Sequence, residues 1–92
     1  MQLGKWSFDE TDRIVITPQE AKVRLTETEW QFLWYLLRRD VMRSTLVGEA
    51  TAAFEAVQRK DAIVYKIRSK LGEDFPLERE RSGGYSVRSE AL

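Results

Sequence analysis

Thr26-Glu27-Thr28-Glu29-Trp30-Gln31-Phe32-Leu33-Trp34-Tyr35-Leu36-Leu37 fixes the centre of the fold. A threonine followed three residues later by a glutamate is the spacing in which the hydroxyl and the carboxylate each accept an otherwise orphaned amide at a helix start. A helix is therefore predicted from Thr26. Trp30, Leu33, Trp34 and Leu37 recur at three- and four-residue intervals, and Phe32, Tyr35 and Leu36 make the opposite side apolar as well. A helix apolar on two sides needs cover on both, which makes this one the central helix. Arg38-Arg39-Asp40 ends it, with cations where the helix dipole favours them.

Upstream, Lys5 to Phe8, Arg13 to Thr17 and Lys22 to Leu25 are β-like runs separated by the turn-rich stretches Asp9-Glu10-Thr11-Asp12 and Pro18-Gln19-Glu20. A three-stranded antiparallel meander is expected. Downstream, Val41-Met42-Arg43 reads as a short extended connection, and Ser44 as the N-cap of a second helix carrying Val47, Ala50, Phe54 and Val57 on one face. A third helix is expected from about Arg59 to Leu71, with Val64, Ile67 and Leu71 inward and Gly72 as its left-handed cap. Leu77 to Arg81 and Tyr85 to Arg88 flank Ser82-Gly83-Gly84, a hairpin signal in which glycine supplies positive φ. The predicted order is a sheet, three helices and a terminal hairpin, an α+β arrangement.

The 92 residues form one domain of 42% hydrophobic content, with 15 Lys plus Arg against 15 Asp plus Glu. Any electrostatic function is thus local. The chain lacks Cys and His. It therefore has no thiolate nucleophile, no Cys- or His-ligated zinc and no histidine base, and neither an enzyme nor a cofactor-dependent protein is expected. The close acids Glu27 and Glu29, and Glu78 and Glu80, fit capping and strand alternation better than a general acid/base pair. The longest apolar run, Phe32 to Leu37, is too short to span a bilayer, and Met1 to Phe8 lacks a signal-peptide stretch. A cytoplasmic protein with no membrane partner is expected.

Charge divides unevenly. Residues 1–56 hold seven Lys or Arg and nine Asp or Glu, whereas residues 57–92 hold eight and six. Arg59, Lys60, Lys66, Arg68 and Lys70 face only Asp61, giving the third helix and its approach four net positive charges. With Val64, Ile67 and Leu71 inward, Arg59, Ala62, Tyr65, Lys66 and Ser69 lie outward. A basic polar helix followed by a hairpin with Arg79 and Arg81 near its tip suits double-stranded DNA, with the helix in the major groove and the hairpin on backbone or minor groove. From charge alone, a solvated face of a protein that binds no nucleic acid is the commoner reading.

Three stretches tie the chain to a known family. Leu25-Thr26-Glu27-Thr28-Glu29-Trp30 with Leu33 and Leu36-Leu37, Asp61-Ala62-Ile63-Val64-Tyr65-Lys66-Ile67-Arg68-Ser69-Lys70-Leu71-Gly72, and Arg81-Ser82-Gly83-Gly84-Tyr85 resemble the first-helix start, recognition helix and wing of the OmpR/PhoB-type winged-helix domain. That domain is the DNA-binding effector half of many bacterial response regulators. The resemblance covers nearly all of residues 1–92. It implies a winged helix-turn-helix fold with an N-terminal antiparallel sheet, a three-helix core and a C-terminal β-hairpin wing. It also implies a sequence-specific transcriptional regulator with its recognition helix at 59–71 and its wing at 77–88. Ile63 stands where the family often has His, and Glu80 where an apolar wing residue is usual. The link from Phe54 to Arg59 is shorter than the family's loop implicated in polymerase contact, so a direct activator role is not expected. With no receiver domain among these residues, the chain is expected to be an excised domain or a free-standing regulator.

The expected DNA-binding residues are Arg59, Ala62, Tyr65, Lys66, Arg68, Ser69, Lys70, Arg79 and Arg81. Lys66 matches a recurrent recognition-helix arginine. Arg68 and Lys70 either clamp the DNA backbone or cover core surface with their stems. Arg81 contacts phosphate or minor groove, or else pairs with Glu78 or Glu80. Tyr65 and Ser69 are candidate phosphate donors, and Arg59 opposes the helix dipole unless an anion lies near. The partners expected are duplex DNA and RNA polymerase or another regulator, with the protein acting as a monomer or in tandem on repeated half-sites. The alternative is a winged-helix module that binds another regulator instead of DNA, through Phe32 and Tyr35 if the sheet leaves them exposed.

Overall fold

The structure, a computed structural model, describes residues 1–43 and 60–92. Its elements run β1 (Gln2–Leu3), β2 (Trp6–Asp9), β3 (Ile14–Ile16), β4 (Lys22–Arg24), α1 (Glu27–Asp40), α2 (Lys60–Leu71), β5 (Leu77–Arg79), β6 (Tyr85–Val87) and a 3-10 turn (Ser89–Ala91).

The N-terminal sheet has four antiparallel strands in the order β1-β2-β3-β4, one more than the expected meander. The extra strand forms because Gly4, at φ 62°, turns the chain back so that Leu3 pairs with Trp6. Asp9 closes the next turn, its carboxylate accepting the amides of Thr11 at 3.0 Å and Asp12 at 3.3 Å. Thr17 closes the third, where its carbonyl accepts the amide of Glu20 at 2.8 Å and its hydroxyl the amide of Ala21 at 3.1 Å. In register, Phe8 pairs with Val15 and Val15 with Val23, which places these side chains on one face. Phe8 and Val15 are buried.

Thr26 and Glu29 form the reciprocal cap of α1, with the Glu29 amide 3.2 Å from the Thr26 hydroxyl and the Thr26 amide 2.9 Å from the Glu29 carboxylate. Both sides of the helix are buried: Trp30, Leu33 and Leu37, and also Phe32, Tyr35 and Leu36. Beyond Asp40 the chain turns instead of extending, since Val41 keeps helical angles and Arg43 takes φ 52°. On α2, Val64, Ile67 and Leu71 point inward, and Gly72 at φ 84° ends the helix. Phe75 then inserts between Trp6 and Phe8, with ring centroids 5.0 Å and 6.5 Å away in edge-on geometry.

The three-helix core expected of a winged helix-turn-helix domain is corrected by the structure. Among the described residues there are two α-helices, and the core is completed by the four-stranded sheet, Phe75 and the hairpin residues Leu77, Tyr85 and Val87. The helix expected from Ser44, with Val47, Ala50, Phe54 and Val57, lies outside the described residues, as does Arg59. The hairpin strands are shorter than expected. The Glu80 amide donates to the Gly84 carbonyl at 2.7 Å and the Gly83 amide to the Glu80 carbonyl at 3.0 Å, so Glu80 and Arg81 belong to the turn. Among the described residues, no helix is long and apolar enough to cross a membrane.

Candidate nucleic-acid interface

The exposed side of α2 follows from its buried stripe. With Val64, Ile67 and Leu71 turned inward, the opposite side presents Ala62, Tyr65, Lys66 and Ser69, all exposed. Tyr65 is 73% exposed. Ser69 is partly committed, because its hydroxyl donates to the Tyr65 carbonyl one turn earlier at 2.9 Å.

The other two cations expected on this helix are held by the protein itself. Arg68 donates through Nη2 to the carbonyl of Leu77, at the start of the hairpin. Lys70 reaches back to α1, its Nζ 2.6 Å from Oε1 of Glu29. Glu29 is only 3% exposed and already accepts the Thr26 amide. Burial raises its pKa, but the bonds from Lys70 and Thr26 outweigh this and hold the carboxyl below its ordinary value. The paired functions left open for Arg68 and Lys70 thus have a structural component in each case.

The hairpin is fastened to both helices. Asp61, in the first turn of α2, accepts the phenol proton of Tyr85 on β6. Burial, and then this bond, push the Tyr85 phenol pKa up. From α1, Arg39 donates to the Tyr85 carbonyl at 2.6 Å and to Asp40 at 2.7 Å, while Asp40 accepts the Val87 amide at 2.9 Å. The bond to Asp40 raises the Arg39 pKa further above its ordinary value. Phe32 lies edge-on to Tyr85 with centroids 6.4 Å apart, so the hairpin is its aromatic neighbour. At 4% and 7% exposure, Phe32 and Tyr35 do not form an exposed aromatic patch.

Known protein families and curated proteins offer no match to this chain.

Arg79 and Arg81 are exposed, and among the described residues neither makes an ion pair with Glu78 or Glu80. Glu78 instead pairs with Arg88 across the strands at 3.1 Å, and Arg88 also meets Glu90 at 2.9 Å. These carboxylates raise the Arg88 pKa. Among the described residues, α2 has an exposed side carrying Lys66 and Tyr65, and the hairpin fastened to it through Arg68–Leu77 and Asp61–Tyr85 carries exposed Arg79 and Arg81. Sequence reasoning missed the residues that do the fastening: Asp61, Tyr85, Arg39 and Asp40. Asp61 and Tyr85 stand in two of the quoted motifs, but their pairing across 24 positions leaves no local signal.

Proposed function

We propose that the protein is a sequence-specific regulator that binds double-stranded DNA, with α2 in the major groove and the β5–β6 hairpin on the neighbouring backbone or minor groove. The observation that carries this reading is an exposed α2 side holding Lys66 and Tyr65, joined through Arg68–Leu77 and Asp61–Tyr85 to a hairpin whose Arg79 and Arg81 are exposed. Cations on two linked elements suit a polyanion that offers phosphates on both sides of a groove. A cytoplasmic location rests on the short apolar run Phe32 to Leu37 and on Met1 to Phe8, whereas a bacterial source, binding as a monomer or in tandem, and contact with RNA polymerase or another regulator rest on the family resemblance. The alternative of a regulator-binding module loses the exposed aromatics that motivated it, because Phe32 and Tyr35 are buried.

Titration of labelled duplex at two salt concentrations tests the reading. Binding is expected to weaken as salt rises. Lys66→Glu with Arg81→Glu is expected to lower affinity at least tenfold and to reduce the salt slope by about 0.9 for each phosphate no longer neutralised. Absence of binding at low salt, or binding indifferent to salt, would reject it.

A further inference from the structure

We infer that α2 reads thymine methyl groups through Ala62 and Tyr65, an inference that rests on the duplex-binding reading above. Guanine is most often read by Arg or Lys on its two acceptors, and adenine by the amide of Asn or Gln. The sequence of α2, KDAIVYKIRSKL, contains neither Asn nor Gln. Its arginine, Arg68, is turned to the Leu77 carbonyl, and Lys70 is bonded to Glu29. Ser69 gives its hydroxyl proton to the Tyr65 carbonyl.

The remaining outer surface is the methyl of Ala62, the ring of Tyr65 three residues on and the ammonium of Lys66. A tyrosine 73% exposed in the middle of a helix keeps apolar surface in water that folding did not bury. The major-groove feature complementary to such surface is the C5 methyl of thymine. Asp61 and Arg68 lie one turn either side of Tyr65 on its stripe and are both bonded to the hairpin, so Tyr65 sits on the hairpin side of the outer surface. Lys66 lies beside the ring and supplies a point charge to a phosphate or a base acceptor.

The probe is a duplex retained by the protein from a random pool, prepared once with thymine and once with deoxyuridine at every thymine. The two forms have the same phosphates and the same hydrogen-bonding edges, and differ only in the methyl groups. The uracil form is expected to bind about fourfold more weakly for each contacted methyl removed. Tyr65→Ala is expected to shrink that ratio by about fourfold while leaving the melting temperature unchanged. Equal binding of both forms by the wild type overturns the inference, as does an equal loss of affinity for both forms on Tyr65→Ala. Failure to retain any duplex at low salt is a distinct result: it rejects the DNA reading itself, and methyl recognition with it.

Discussion

The seam between the hairpin and the helices and the exposed surface of α2 and the hairpin both carry charge, yet they use it in opposite ways. In the seam, Arg39, Asp40, Arg68 and Asp61 are bonded to a carbonyl, an amide, a phenol or one another. On the exposed surface, Lys66 of α2 is exposed, and Arg79 and Arg81 of the hairpin are exposed and make no ion pair among the described residues. Counting cations along a helix therefore overstates what the helix can offer a partner. Position relative to the buried stripe decides which charges hold the fold and which remain for binding.

The largest effect is expected at Asp40. Its carboxylate serves the Arg39 guanidinium and the Val87 amide, so Asp40→Ala leaves a part-buried cation and a backbone donor without this acceptor. A loss of about 2–3 kcal/mol in denaturant unfolding is expected. A loss below about 0.5 kcal/mol would mean that the seam does not hold the hairpin.

The next effect depends on pH. Because the Glu29 pKa is lowered from 4.5, folding favours its ionised form. The stability it contributes is full above the unfolded value and disappears as pH falls through the folded one. Glu29→Gln is expected to cost about 1–2 kcal/mol at neutral pH, from the lost Lys70 bond and the altered cap. The gap to wild type should narrow as the solution is acidified below the ordinary carboxylate range. A gap that stays constant in acid would contradict this account.

Tyr85→Phe removes one hydrogen bond while keeping the ring against Phe32. Its expected cost is about 1 kcal/mol, read as a shift in the unfolding midpoint. Smallest of all should be Lys66→Ala, whose effect on stability is expected to stay within about 0.5 kcal/mol while duplex affinity falls. A large loss of stability would place Lys66 in the seam and erase the distinction.

What could be read from the sequence was local. The Thr26–Glu29 cap, the inward stripe of Val64, Ile67 and Leu71, the end at Gly72 and the Gly83 turn each depend on residues a few positions apart. What could not be read depends on distant partners. The two-residue strand β1 has too little alternation to signal itself, and an added Cβ at Gly4 would lie 2.3 Å from the backbone carbonyl of Leu92, at the other end of the chain. Lys70 meets Glu29 across 41 positions, and Arg68 takes a backbone carbonyl, an acceptor every residue carries. The sequence points to the N-terminal sheet as cover for Phe32, but its edge-on aromatic neighbour is Tyr85 of the hairpin. The three-helix expectation rested on the Ser44 cap and the Val47, Ala50, Phe54 and Val57 stripe, a segment outside the described residues, and the resemblance repeated it. Among the expected site residues, Ala62, Tyr65, Lys66 and Ser69 share one side because helical periodicity is reliable, whereas Arg68 and Lys70 show that periodicity does not reveal pairing.

Strand β6 is held from two directions, by Arg39 and Asp40 of α1 and by Asp61 of α2. The conformational entropy of setting the hairpin against the helices is consequently lost during folding and not at encounter with a ligand. Such preorganisation favours a long-lived complex, since a partner that meets both elements has little disorder to remove from either.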